Sequence, residues 1–231
     1  MRTLANFLEP NDHDIVYAKL SEIKLDEKSK PTRSWMINSV PFKTLHGALK
    51  MGLKSFFPTD KVKFKQLEYY FGNIDIRHHL MRQDYPEQAT RLLVQDYFSE
   101  AKKIAGETGA EIKIYEPLPI ENERRHIPKT GWYEKTPFYG SWEHRDTIRN
   151  VFIDQAIKEQ GNGVTFFRWC EKLKNNIGEL DFKYMEKPQS VHLSREHYPH
   201  WQGWELNGLA PPVERINKPV NVINATLRSF L

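Results

Sequence analysis

The run LEYYFGNI at residues 67–74 is apolar almost throughout and ends in Gly-Asn, the pattern of a strand buried within a sheet. Downstream, PEQATRLLVQDYFSEAKKIAGETG changes to helical spacing. Leu92, Leu93, Tyr97, Ala101 and Ile104 are expected on one face, with Pro86 in the first turn and Gly106 or Gly109 at the end. AEIKIYEPLPI then alternates like a strand until Pro117 and Pro119 break it. Residues 143–160 return to helical spacing, with Ile148, Val151, Phe152, Gln155 and Ile157 near one face, and GVTFFRWCEKL reads as a third strand passing into a turn.

Upstream the pattern is less regular. DIVYAKLSEIKL (14–25) is β-rich but interrupted by charges, DEKSKPTRS is a loop, and SWMINSVPF is a short strand stopping at Pro41. Thr44 is a plausible N-cap for a short helix over LHGALKMGLKSFF. The order strand, helix, strand, helix, strand over 67–170 predicts neighbouring parallel strands near 67–72, 110–116 and 163–168, covered by helices at 86–105 and 143–160. The expected architecture is one α/β domain over 1–231, with its core at about 14–200 and an irregular C-terminal extension over 201–231. Ligands of such sheets bind at the carboxyl ends of the strands, so the loops after Phe71 and Ile120 and the turn holding His192 should share one rim.

Composition narrows the function classes. Hydrophobic residues at 39% and charged residues at 28% fit an ordinary globular domain. No apolar stretch approaches the roughly 20 residues of a membrane helix, and Met1–Asp14 lacks the apolar run of a secretory signal. Cys170 is the single cysteine, which excludes an intrachain disulfide and a thiolate-rich metal site; a cytoplasmic setting is expected. The net charge of +4 is spread along the chain rather than clustered, which disfavours nucleic acid as the partner. Six tryptophans are many for a plain α/β domain, and several fall outside the core pattern, the first sign of a substrate surface.

Three segments carry candidate chemistry. GNIDIRHH (72–79) places a carboxylate, a guanidinium and two imidazoles in a turn after the buried strand. Gly72 permits a sharp turn, Asn73 can offer an amide to an oxyanion, and Asp75 can orient Arg77 or a histidine. The plain alternative is a helix-entry turn with an Asp–Arg pair. VHLSREHYPHW (191–201) supplies His192, His197 and His200, and a late loop histidine is a common source of a general base. The loop 124–145 interleaves Arg124, Arg125, Lys129, Lys135 and Arg145 with Trp132, Tyr133, Phe138, Tyr139 and Trp142. Aromatic faces stack on sugars or bases and the cations hold anionic groups; the alternative is a flap folded onto the domain by its own aromatics. No metal or cofactor is expected.

VPFKTLHG (40–47), YFGNIDIRHHL (70–80) and SVHLS (190–194), in that order, resemble the SGNH/GDSL hydrolase superfamily. The resemblance is to a branch carrying GEIDCRCHI after its central strand and D-x-VHI near its end, and it covers roughly residues 37–200. Asn150 also falls where that branch often has an Asn. The resemblance implies a flavodoxin-like three-layer α/β/α sandwich with a mainly parallel sheet. It implies ester or acyl-group hydrolysis of a carbohydrate-like or otherwise polar small molecule or glycan. His192 matches the base, Gly72 and Asn73 the oxyanion block, and Thr44, His46, Asp75, Arg77 and His79 the substrate-binding surroundings, to which the aromatic loop is expected to add Trp132, Tyr133 and Trp142. Two departures stand out. No GDS, GNS or GSS occurs in the first 40 residues, leaving Ser21 as the strand-end hydroxyl of the right order. Gln189 stands three residues before His192, where the family has Asp. A catalytically inactive member, serving as a binding or structural component, is therefore the rival reading.

Overall fold

Five strands form one sheet in the order β2-β1-β3-β4-β5: β1 is Ile15–Leu20, β2 Trp35–Ser39, β3 Phe64–Tyr70, β4 Glu111–Tyr115 and β5 Val164–Phe167. The computed structural model describes residues 15–20, 35–39, 44–57, 64–124, 127, 135, 139–186, 193, 194 and 197. β3, β4 and β5 are parallel neighbours, Leu67 pairing with Ile112 and Ile112 with Val164. β1 is antiparallel to both β3 and β2, so the parallel strands carry an antiparallel addition at one side.

Among the described residues, three α-helices accompany the sheet: α1, Leu45–Met51; α2, Pro86–Thr108; and α3, Trp142–Glu159. Side chains alternate across β3, so Leu67, Tyr69 and Phe71 share one face with Ile112, Ile114, Val164 and Phe166. α2 and α3 cover that face with Val94, Tyr97, Phe98, Ile148 and Phe152, as two successive crossovers of one hand in one direction require. On the other face Tyr70 and Tyr115 pack with Leu118, Cys170, Leu173, Leu180, Met185 and Leu193. Two 3-10 turns, Glu171–Leu173 and Phe182–Tyr184, lie in that layer. The result is a mixed α/β fold with a three-strand parallel sheet flanked by helices, consistent with a flavodoxin-like α/β/α arrangement.

The helix signals act as the sequence predicts. Thr44 caps α1, its Oγ1 accepting the Gly47 amide at 2.9 Å. Pro86 opens α2, where its missing N–H costs nothing, and Gly109 ends it at φ 67°, a left-handed position that favours glycine. Two face assignments need correction. Leu92 is 53% exposed because the buried stripe of α2 runs through Leu93, Val94, Tyr97, Phe98 and Ala101, leaving Leu92 one step of about 100° off its edge. Ile157 is 42% exposed, the stripe of α3 being centred on Arg145, Ile148, Arg149, Phe152 and Ala156. Among the described residues, no helix is long and apolar enough to cross a membrane.

Candidate site at the carboxyl rim of the sheet

At the carboxyl end of β3 the chain turns sharply through Gly72, whose φ is 105°. A Cβ there would meet the Phe152 ring at 3.1 Å, so glycine answers both a backbone and a packing demand. Asn73 and Ile74 begin a helical turn that widens to π geometry over Asp75–His79 and tightens to 3-10 over Leu80–Arg82. Asp75, Ile76, Arg77 and His78 are all buried, four in succession, so this polar turn lies within the fold.

Asn73, Asp75 and Arg77 each have a defined task in it. The Asn73 Oδ1 accepts the Leu118 amide at 2.8 Å and an Arg77 Nη1–H at 3.2 Å. A backbone N–H can only donate, so the atom facing Leu118 is the oxygen, and the Asn73 amide nitrogen is turned to the other side. The Asp75 carboxylate accepts the Leu45 amide at 2.7 Å and the His46 amide at 3.3 Å. With Thr44 it satisfies the first three N–H groups of α1, which have no partner within that helix. Burial raises the Asp75 pKa, while those two amides and His79 pull against the rise. Half-buried His79 is shifted down, chiefly by burial, with Asp75 opposing and Arg82 and His46 adding to the shift.

Arg77, 1% exposed, pairs with Glu121: its Nε donates at 2.8 and 3.0 Å and Nη2 lies 2.7 Å from Oε2. Its Nη2 also donates to the Pro119 carbonyl at 3.2 Å. Two further buried arginines hold the same stretch after β4. Arg149 donates to the Pro117 and Leu118 carbonyls and sits 2.7 Å from Glu116. Arg145 donates to the Gly140 and Glu121 carbonyls and to Glu123. Residues 116–122 thus run through a frame of three guanidiniums. Prolines at 117 and 119 explain part of this: with no N–H of their own they cannot continue a ladder, and their carbonyls take side-chain donors instead.

The expected rim therefore forms in part. The turn after β3 and the stretch after β4 meet through Asn73–Leu118 and Arg77–Glu121. His192 lies outside the described residues, as do Ser21, Gln189, Trp132 and Tyr133. Leu193, the residue after His192, is buried with Tyr70, Tyr115 and Leu118. Leu20, the residue before Ser21, pairs with Phe64 at the amino end of β3, roughly 25 Å along the chain direction from the Gly72 turn.

Elsewhere on the rim His46 is exposed, and Arg82 stacks over the Tyr139 ring at 4.9 Å. Trp142 is half-buried, its indole N–H donating to the Ile120 carbonyl at 2.9 Å. Asn150 lies on the exposed side of α3 and bonds Asp146. Cys170 is fully buried and burial pushes its thiol well up, so it is no thiolate nucleophile. Among the described residues, no three His, Cys, Asp or Glu side chains gather as a metal site.

Sequence reasoning missed the arginine frame. Arg145 was expected to present its charge from an aromatic loop, and Arg149 sits in what reads as an ordinary amphipathic helix. The usable signal was their i, i+4 spacing on the same helical face as Ile148 and Phe152.

No family model matches the chain, and no curated protein matches it. A solved structure provisionally described as a platelet activating factor from Streptococcus pneumonia is similar at 16% identity and a TM-score of 0.48, covering 72% of this chain and 68% of that one.

Proposed function

We propose that this chain is an SGNH-like hydrolase acting on an ester or acyl group of a polar, carbohydrate-like small molecule or glycan. The observation that carries the reading is the double role of Leu118. Its N–H fixes Asn73, and its side chain packs in the same cluster as Leu193, the residue next to His192. Asn73 of the GNID segment and Leu193 of the VHLS segment thus both connect to the surroundings of Leu118, which supports reading the two segments together. In this reading His192 removes the proton of an attacking hydroxyl and returns it to the leaving alcohol. Gly72 and Asn73 donate hydrogen bonds to the oxyanion, and water then releases the acyl group. Besides Ser21, the Thr44 hydroxyl is a second candidate for the attacking group, and it stands on the segment that Asp75 ties to the GNID turn. Exposed His46, half-buried His79 and Trp142 border the substrate, with Trp132 and Tyr133 assigned to it by the sequence alone.

A second reading, a binding or structural component without catalysis, draws on the placement of Leu20 at the far end of β3 from the Gly72 turn. One experiment separates the two. The wild type and His192→Ala are given an acetyl ester and, separately, a fluorophosphonate that labels activated hydroxyls. The hydrolase reading expects a wild-type rate at least about a hundredfold above the variant's and one labelled residue, found by peptide mass. Equal rates and no label would leave the binding reading.

A further inference from the structure

The Asn73 side chain receives two hydrogen bonds on its oxygen, from partners of different kinds. Leu118 reaches it from a backbone that Arg149 already holds by the Pro117 and Leu118 carbonyls. Arg77 reaches it from the same turn, through Nη1, which also donates to the Asn73 carbonyl at 3.3 Å. The remaining face of Arg77 is committed elsewhere: Nε and Nη2 go to Glu121, and Nη2 also to Pro119. A planar guanidinium held along one edge by a carboxylate has its other edge aimed, because the fork cannot rotate without breaking the pair. Glu121 thus aims Arg77, and Arg77 aims Asn73.

We infer that Arg77, oriented by Glu121, is a positioning residue that sets the direction of the Asn73 side-chain amide. An amide is a good donor to a developing charge only when its N–H already points at it, since reorientation would otherwise add to the barrier. The Leu118 and Arg77 bonds converge on one oxygen from different directions, and two donors on that oxygen hold the plane of the amide more closely than one. Lysine cannot replace arginine here, because a point ammonium gives no rigid fork spanning Glu121 and Asn73 together. The catalytic part of this inference rests on the hydrolase reading, whereas the aiming of Asn73 does not.

The test uses the full chain with Arg77→Lys, and Glu121→Gln as a second variant in case the first does not fold. The side-chain amide resonances of Asn73 are identified by their loss in Asn73→Ala. Their exchange with solvent is followed by NMR, while the backbone spectrum reports the integrity of the fold. Exchange faster by about tenfold or more in a folded variant is expected. Unchanged exchange in a folded variant would overturn the inference. In parallel, kcat for the acetyl ester should fall about tenfold in Arg77→Lys with KM within about twofold. The substitution should have no further effect in an Asn73→Ala background. Additive losses would mean that Arg77 acts by some other route and would overturn the catalytic role. A wild type without hydrolysis would remove the hydrolase reading and leave the aiming of Asn73 to the NMR measurement.

Discussion

The carboxylate of Asp75 accepts the amide of Leu45 at 2.7 Å, joining a turn after the central strand to the start of a helix thirty residues earlier. Both residues are buried, so neither group has water to fall back on. This bond makes the TLHG and GNID segments one structural unit. It also explains how a helix of only seven residues keeps a fixed place at the rim, since so short a helix does not hold itself together in isolation.

Replacing Asp75 with Ala should destabilise the protein by about 1–3 kcal/mol, because the Leu45 amide is left buried without its acceptor. Asp75→Asn should fall short of that loss, keeping one oxygen for Leu45. The pH dependence has a definite sign. The folded-state pKa of Asp75 is raised, so the group's contribution is fully present below the ordinary carboxylate pKa and is lost as pH rises through the folded value. The stability gap between the wild type and Asp75→Asn should therefore shrink as pH rises from the acid side through that range. Urea unfolding of both proteins at a series of pH values checks it; a gap that widens with pH would contradict the direction of the shift.

Glu116 offers a sharper energetic contrast. It pairs with buried Arg149, meets Arg168 at 3.1 Å, and accepts the Trp169 and Cys170 amides at 3.0 and 3.2 Å. Glu116→Ala should cost about 3–5 kcal/mol, the range for removing one member of a buried pair. Arg91→Ala removes the exposed pair with Glu87 and should cost no more than about 0.5 kcal/mol. Many buried ion pairs can be exchanged for apolar side chains without loss, but this one should resist. A Glu116→Leu and Arg149→Met double variant still orphans two amides and two carbonyls. Recovery of wild-type stability by that double variant, measured by denaturant titration, would show that these backbone bonds matter little.

The legible part of the fold is the part governed by local periodicity. LEYYF, EIKIY and VTFF are short apolar or alternating runs between helical stretches, and their parallel order follows from the crossovers. β1 and β2 were legible as strands but not in direction, because a period of two is the same read either way and their pairing is set by long-range contacts. The arginine frame was illegible for a different reason. A buried guanidinium and a solvated one look alike in a sequence; the spacing of Arg145 and Arg149 with Ile148 and Phe152 gives their face, but only the position of residues 116–122 against α3 gives their partners. Of the site, the GNID turn was found by its residue types, but the tasks of Asp75 and Arg77 depend on partners 30 and 44 residues away.

Trp142 separates a residue that borders a ligand from one that holds the rim together. Its ring packs against the main core and lies 3.8 Å from the Cβ position of Gly178, and its indole N–H reaches the Ile120 carbonyl. Those contacts assign it to the scaffold in addition to any part in binding. Trp142→Ala should lower stability by about 3 kcal/mol, as for an aromatic truncation at the edge of a core. Trp142→Phe keeps most of the ring and loses only the hydrogen bond, so it should cost about 1 kcal/mol. Thermal and urea unfolding of the two variants give both numbers. If Trp142→Ala unfolded like the wild type, the indole would be free of structural duty, and a loss of ligand affinity in that variant could then be read as direct contact. If the loss of stability is as large as expected, affinity must be measured on Trp142→Phe, where the fold is nearly intact and a weakened complex reports the indole itself.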